Sequence, residues 1–410
     1  MTHIISNNKQ VKKVNRIKVL DIIRRNDCIS RKQLAVMTGL TPPAITGIVK
    51  ELIERGFIEE VGLGNSHGGR KPVSLVFKAD FVYILGIEIS KNTISWGFTD
   101  MKNPPNNVKH FAADMSDPDK ASTYLIELIK TVLQENVDKN FLGVGIAVPG
   151  LVLADTGTVA RSVNLGPAWK NYALLDKLQS QLSVPIFLDN NSNVAVLAEK
   201  IFDLGINYSD IAYVNIGDGL SAGVILGDNL VKGNKGFSGE IGHITLHMRG
   251  ATLCNCGNRG CLETVCSLTA LLRKIEVEMP FVDEQDPAKQ FYLQRQCIGV
   301  RELQELLPRN SKYLNKIFLQ FADSLAIAIS TVINMFNPEI VIIGGKMAML
   351  LENFLPELIK RTKGYTFPEL FEDTQIVISN MREEASVSGA CALALQEILS
   401  FSNNNLFDKS

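Results

Sequence analysis

Nowhere in this 410-residue chain does an apolar run approach the roughly 18 residues that a bilayer-spanning helix requires. The opening stretch, MTHIISNNKQVKKVNR, lacks the apolar core of a secretory signal. Both absences point away from membrane and export, toward a cytoplasmic protein whose thiols stay reduced. Net charge is nearly missing too, at −1. Cysteine and histidine are scarce, with seven and five residues. Apolar residues make up 46% and charged residues 21%, which fits a soluble globular chain long enough for two or three domains.

The near-zero net charge hides an uneven distribution. Residues 1–78 hold 14 Lys and Arg against six Asp and Glu, a net of +8; the remainder has a net of −9. A basic head on an acidic body suggests a nucleic-acid-binding module joined to something else.

The head reads as a winged helix-turn-helix. NRIKVLDIIRRND (15–27) carries apolar residues at near-helical spacing. Ser30 is placed to cap SRKQLAVMTG and Gly39 to close it. Thr41 caps the next helix, TPPAITGIVKELIERG, with Pro42 and Pro43 in the first turn, where a missing N–H costs nothing. Ile45, Val49 and Leu52 form its buried stripe. Two strand-like runs, 57–62 and 73–77, flank the Gly-rich basic tip LGNSHGGRKP, a wing. In such a module the second helix enters the major groove N-terminus first. Thr41, Pro43, Ala44, Thr46 and Lys50 are therefore the candidate DNA contacts; Pro43 and Ala44 suit thymine methyls. Arg70 and Lys71 on the wing suit a narrow minor groove.

Past residue 80 the pattern changes. Residues 83–100 read as strand, turn, strand, and 211–233 repeat that plan, with Asp100 and Asp228 ending the second strand of each copy. Residues 141–153 and 337–345 are further buried strands, and 118–136, 192–204 and 313–336 are helical. Strands alternating with helices, opened twice by the same hairpin, predict an α/β body of two similar lobes with a ligand cleft between them.

Cys254, Cys256 and Cys261 fall within eight positions of one Gly-rich loop, and His243 lies eleven residues upstream. Three thiolates and an imidazole are a complete ligand set for structural zinc. His247, four residues along an expected strand and on the same side as His243, is the competing ligand.

At GFSGEIGH (236–243) followed by CNCGNRGCLE (254–263) the chain resembles the ROK family of repressors, open reading frames and kinases. The resemblance covers residues 81–400. It implies an actin-like (ribonuclease H-like) two-lobed domain, with a zinc site of one histidine and three cysteines in its sugar-binding lobe. With a winged helix in front, the chain is most similar to the repressor branch, above all the bacterial xylose repressors. The expected division is a DNA-binding domain at 1–80 and a ROK domain at 81–410. Lobe one would run from about 81 to 200 plus the C-terminal helix, and lobe two from about 201 to 385.

The resemblance also implies a comparison with the family's kinases. Their phosphate loop, D-x-G-G-T, is matched here by EISKNT (88–93), where Ser90 and Lys91 replace both glycines. Their second loop, G-T-G-x-G-x-G, is matched by GDGLSAG (217–223). Asp218 puts negative charge where a triphosphate would sit, and Ser221 replaces the middle glycine. Their catalytic aspartate, in N-D-x-N, is Asn191 here, and an amide is no general base near neutral pH. The sugar-reading positions survive: Asn164, Asn190, Asn191, Glu240, His243 and Glu263 would line the pocket.

The expectation is a repressor, not an enzyme, that holds zinc, binds operator DNA and is released by a sugar such as xylose. Two half-sites roughly 34–36 Å apart need two heads, hence a homodimer or dimer of dimers. The alternatives are an active ATP-dependent sugar kinase with a DNA-binding head, and a regulator controlled by a protein partner.

Overall fold

The computed structural model describes residues 8–63, 73–78, 82–246 and 251–399. The head contains α1 (Asn8–Arg25), β1 (Ile29–Ser30), α2 (Arg31–Thr38), α3 (Pro42–Glu54), β2 (Ile58–Leu63) and β3 (Val73–Phe77). Ser30 Oγ accepts the Gln33 N–H and Gln33 Oε1 accepts the Ser30 N–H, a capping box that starts α2. Gly39, at φ 72°, ends it in the left-handed conformation that glycine tolerates. Thr41 stands extended at the N-cap of α3, but its hydroxyl makes no capping hydrogen bond; Pro42 and Pro43 set the first turn instead. The three strands pair in the order β1-β3-β2. α1 takes in Lys12 and Lys13 as well as the stretch from residue 15 that the apolar spacing marks.

The body continues with β4 (Tyr83–Ser90), β5 (Thr93–Thr99), β6 (Lys109–Ala112), α4 (Pro118–Glu135), β7 (Phe141–Val148), β8 (Leu151–Leu153), β9 (Thr158–Arg161), β10 (Lys170–Ala173), α5 (Leu174–Gln179), β11 (Ile186–Asn190) and α6 (Asn191–Phe202). The second lobe adds β12 (Ile211–Ile216), β13 (Leu220–Leu226), β14 (Asn229–Leu230), α7 (Leu268–Glu278), α8 (Pro287–Arg295), α9 (Val300–Leu306), α10 (Lys312–Phe336), β15 (Ile340–Gly344), α11 (Ala348–Leu351), α12 (Leu355–Lys363), α13 (Pro368–Glu372) and β16 (Gln375–Ile378). The described chain ends in α14 (Ala385–Leu399).

The two large sheets have one topology. The first runs β11-β7-β4-β5-β6; the second, written from its other edge, runs β16-β15-β12-β13-β14. In each, the central strand pairs antiparallel with its hairpin partner and parallel with the strand on its other side. The repeated hairpin legible in the sequence is therefore a repeated half-domain, the architecture of an actin-like fold. α14 packs against α6, β7 and β4. That approach requires Gly145, where a Cβ would lie 1.7 Å from the Ala390 carbonyl oxygen.

α10 is long and apolar enough to cross a bilayer, with mean hydropathy 1.6 over its window, but 61% of that window is buried. It is the central helix of the second lobe, with Phe318 stacked on Phe354 at 4.9 Å.

The head is not a separate globule. Its core residues Leu20, Ile23, Ile45 and Leu52 belong to the same apolar cluster as Ile84, Met101, Leu395 and Ile398 of the body. Arg24, only 3% exposed, donates from Nη1 to the Met101 carbonyl at 3.0 Å while Asp21 neutralises it at 2.9 Å. Met101 adopts a left-handed φ of 68° just past β5. Lys102 reaches Asp27 at 2.7 Å on the rim of the same contact.

Candidate functional site

The cleft opens where β11 and β12–β13 end, outside the sheet edges, as expected for doubly wound α/β folds. Its volume is about 540 Å³, within the usual range for small-molecule sites. Asn164, Asn190, Asn191, Glu240, His243 and Glu263, which the sequence reading selected from four separate segments, all line it.

Asn190 caps α6. Its Oδ1 accepts the Ser192 N–H at 2.8 Å and its Nδ2 donates to the Gly150 carbonyl at 2.7 Å. Asn191 opens the helix and donates from Nδ2 to Glu88 at 3.3 Å; its buried Oδ1 has no partner among the described residues. Glu240 precedes a short 3-10 turn, Ile241–His243, and burial pushes its carboxyl above the ordinary range while His243 opposes the shift. Glu263 accepts the Leu220 N–H at 3.1 Å, which ties the cysteine loop to the second glycine turn. Gly219 in that turn has no room for a side chain. A Cβ would lie 2.4 Å from Glu263 Oε2 and 3.0 Å from Asn164 Nδ2.

Of the strand expected over 243–247, the described residues 243–246 hold only an isolated bridge, Thr245 opposite Cys261, and His243 ends the 3-10 turn. Gly242, within that turn, packs against the start of β13, where a Cβ would lie 2.2 Å from the Leu220 carbonyl oxygen. His247 lies outside the described residues.

His243, Cys254, Cys256 and Cys261 converge, with all ligand atoms within 4.8 Å of one another. Cys256 and Cys261 Sγ are 3.7 Å apart, and Cys254 Sγ is 3.7 Å from His243 Nδ1. Two sulfurs about 2.3 Å from a tetrahedral centre lie roughly 3.7 Å apart, so the spacing fits a metal ion and is too long for a disulfide. Burial and the neighbouring thiols push Cys261 up to about 12, a value that a bound cation reverses by holding the thiolate. His243 Nε2 faces Glu240 at 3.7 Å, so one imidazole joins the His–Cys cluster to the cleft.

Two turns border the cleft. Ser90 and Lys91 occupy the first, lining the cleft. At the second, Asp218 pairs with Lys346 at 2.9 Å. Residues that the sequence reading missed include Glu88, Ser386 and Lys346. Glu88 was visible as the first residue of the phosphate-loop match; the other two carry no local signal.

On the head, Thr41, Pro43, Ala44, Thr46 and Lys50 are all exposed along one end and face of α3, while Ile45, Val49 and Leu52 are fully buried. The Thr46 hydroxyl donates to the Pro42 carbonyl at 2.9 Å, and Lys50 lies 3.8 Å from Glu54. Arg70 and Lys71 lie outside the described residues.

A winged helix-turn-helix DNA-binding model matches residues 14–59, and the ROK family model matches residues 84–397. The chain is 30% identical over 411 residues to the xylose repressor of Caldicellulosiruptor bescii, covering 97% of this chain and 99% of the relative. It is 28% identical over 322 residues to the glucokinase of Thermotoga maritima, covering 77% of this chain and 98% of that enzyme. Among solved structures, a ROK family transcriptional regulator described as a homologue of the Escherichia coli MLC protein superposes with a TM-score of 0.81. That match has 25% identity and covers 95% of this chain and 98% of that one. With its family model spanning most of the body and its sequence aligned nearly end to end with a repressor, the chain belongs to the ROK family.

Proposed function

We propose that this protein is a sugar-responsive transcriptional repressor and not a kinase. The winged head binds operator DNA, an aldose of the xylose type occupies the cleft as inducer, and a zinc ion on His243, Cys254, Cys256 and Cys261 stiffens the loop that carries Glu263. The carrying observation is the cleft itself. Amides and carboxylates suited to vicinal hydroxyls line it, and in this reading the Asp218–Lys346 ion pair and the Ser90–Lys91 turn leave the kinases' phosphates no seat. Asn191, where the kinases carry a catalytic base, binds hydroxyls but takes no proton. The near full-length match to a xylose repressor supports the same reading.

In this reading α3 enters the major groove, as an exposed helix N-terminus flanked by a wing does in other proteins of this geometry. Zinc supplies rigidity, with no position left open for chemistry. Two copies act together on paired half-sites. Fluorescence anisotropy on operator DNA, with and without D-xylose, together with a coupled ATP assay, tests the proposal. Release of DNA by the sugar with no nucleotide turnover is expected. Turnover of ATP and sugar would overturn it in favour of the kinase reading, and DNA binding indifferent to every aldose would favour a protein-controlled regulator.

A further inference from the structure

The head shares its core with the first lobe. Its apolar cluster takes its body members from β4, β7, β11, α6, α14 and the turn after β5, and, among the described residues, none from 203–384. The cleft is lined from both lobes instead. Asn164, Asn190 and Asn191 stand before residue 203, and Glu240, His243 and Glu263 after it. Two elements run from the cleft to the head. β5 starts at the cleft, with Thr93 and Ser95 in its lining, and ends at Thr99, two residues before Met101. α14 has Ser386 at the cleft in its first turn, and Leu395 and Ile398 in the head's cluster near its end.

Both elements are locked in place. A Cβ on Gly86 of β4 would lie 2.4 Å from the Val387 carbonyl oxygen, and one on Gly389 of α14 would lie 2.1 Å from the Val194 carbonyl oxygen, so the helix meets its neighbours backbone to backbone. β5 is paired along its whole length with β4. The seam between head and body is mostly apolar, and apolar contact has no direction of its own. Arg24 supplies one. It is the one buried charge among the described residues of the head. Asp21, one turn back on the same helix, holds its Nε and Nη2 at 3.1 and 2.9 Å, and Arg25 holds the other Asp21 oxygen at 2.9 Å. The guanidinium fork is thus aimed before it reaches the body, where Nη1 donates to a single carbonyl, that of Met101, at 3.0 Å. That carbonyl is fixed in turn. The Met101 N–H donates to Thr99 Oγ1 at 3.2 Å, and Asp100 Oδ1 accepts the Lys102 and Asn103 N–H groups, both at 2.9 Å.

Resting on the sugar-receptor reading above, we propose that Arg24 is the positioning residue through which the inducer site governs the reading helix: it holds the head in one register on the first lobe, so that a sugar bound across both lobes acts on a head that cannot adjust by itself. A ligand shifts operator affinity only as far as the two states of the cleft differ in the head they present. A head free to settle on its half-site in either state binds DNA equally well with and without sugar. Removing the directional bond while leaving the apolar seam therefore separates the two bindings and leaves each of them in place.

The experiment measures, by anisotropy, the affinity of the full-length protein for a duplex that it selects from random sequence, with and without saturating D-xylose, D-glucose, D-ribose or L-arabinose. Titration calorimetry gives the affinity for the sugar. Arg24→Met keeps an apolar chain of similar length in the seam and leaves Asp21 paired with Arg25. In the unmodified protein the active sugar should weaken operator binding about 5- to 150-fold; in Arg24→Met that factor should fall to about twofold or less, with sugar affinity kept to within about twofold. A merely structural role lowers the melting temperature and leaves the factor intact, and that result overturns the proposal. A second measurement leaves the seam untouched. Spin labels on the exposed native Cys28 of the head and Cys297 of the second lobe follow the head against that lobe. Glu127→Cys with Cys297→Ser moves the second label to an exposed position of α4, in the first lobe. The same sugar should change the first distance and leave the second unchanged. If the second distance changes, or neither does, the sugar does not act through a head fixed on the first lobe, and the proposal fails while the receptor reading stands, even where Arg24→Met does not fold. If no sugar of the panel alters operator affinity of the unmodified protein, the receptor reading fails and this assignment fails with it.

Discussion

Lys346 Nζ lies 2.9 Å from Asp218 Oδ2, an ion pair on the rim of the cleft that joins the turn between β12 and β13 to the turn after β15. The pair is about half exposed, which makes its direct contribution to stability small. In the proposed receptor reading, a triphosphate entering the turn would have to displace this pair. ATP-dependent phosphorylation of aldoses is accordingly expected to be absent in a coupled assay. Asn191→Asp alone should not restore it, since Ser90, Lys91 and Asp218 remain. Turnover in that single variant would show that the missing base is the whole defect.

Purified protein should carry about one zinc per chain by elemental analysis. Cys256→Ser should lose the metal and lower the melting temperature. Cys266→Ser should keep it, because Cys266 is a fully buried thiol in the apolar core, outside the cluster. The reverse pattern would mean that the ligand set is wrong.

Operator affinity should fall steeply with salt, as phosphate contacts release counterions. Lys50→Ala, at an exposed position of α3, should weaken binding to all sequences alike and reduce the salt slope by about one. Thr46→Ala should change sequence preference, with little loss of fold, because its one hydrogen bond is local, back to Pro42. Gel shifts over a salt series with operator and random DNA measure both.

Glu240→Ala should leave sugar-free operator binding near normal and abolish release by the inducer, giving a super-repressor in a reporter strain. Asn190→Ala is the less clean probe, since removing the α6 cap costs about 1 kcal/mol in its own right. Linkage adds a stricter check: saturating operator must lower inducer affinity by the factor by which inducer lowers operator affinity. Equal inducer affinities with and without operator would unlink the two events.

Glu199, buried on α6 with its carboxyl accepting from Ser379, is raised from 4.5 to about 7, first by burial and further by Asp203. A carboxyl whose folded pKa exceeds its unfolded one contributes stability that is complete below about pH 4.5. That contribution is lost as pH rises through about 7, and amounts to about 3 kcal/mol. Glu199→Gln should therefore flatten the fall in denaturation midpoint between pH 4.5 and 7. A parallel fall in both proteins would assign the slope to other groups.

Features set by neighbours in sequence were legible before any coordinates. Ser30 and Gly39 bound α2 because a cap and a left-handed terminus are local devices. The buried stripe Ile45, Val49 and Leu52 follows from helical spacing, and the metal cluster from three cysteines in one short loop. What stayed hidden joins distant segments. Glu88 meets Asn191 across 103 positions, and Arg24 meets Met101 across 77. No periodicity encodes either contact. Of the strand expected after His243, the described residues keep a single bridge, Thr245 opposite Cys261, a pairing that no local pattern encodes.

The shared core between head and body leaves the reading helix no swivel. A DNA-binding head on a loose tether would tolerate half-sites at many separations, at only an entropic cost for each. Here Arg24 is buried on the Met101 carbonyl and Leu20 and Ile23 share their apolar cluster with α14, so rotating a head means unpacking a core. With two copies on paired half-sites, as proposed, the helical phase of the DNA would become part of what the protein recognises. Inserting about five base pairs between half-sites turns one of them to the far side of the duplex, beyond a rigid head's reach, while about ten restore the facing at a greater distance. Operators for this repressor should be narrowly fixed in length, even where their sequence varies.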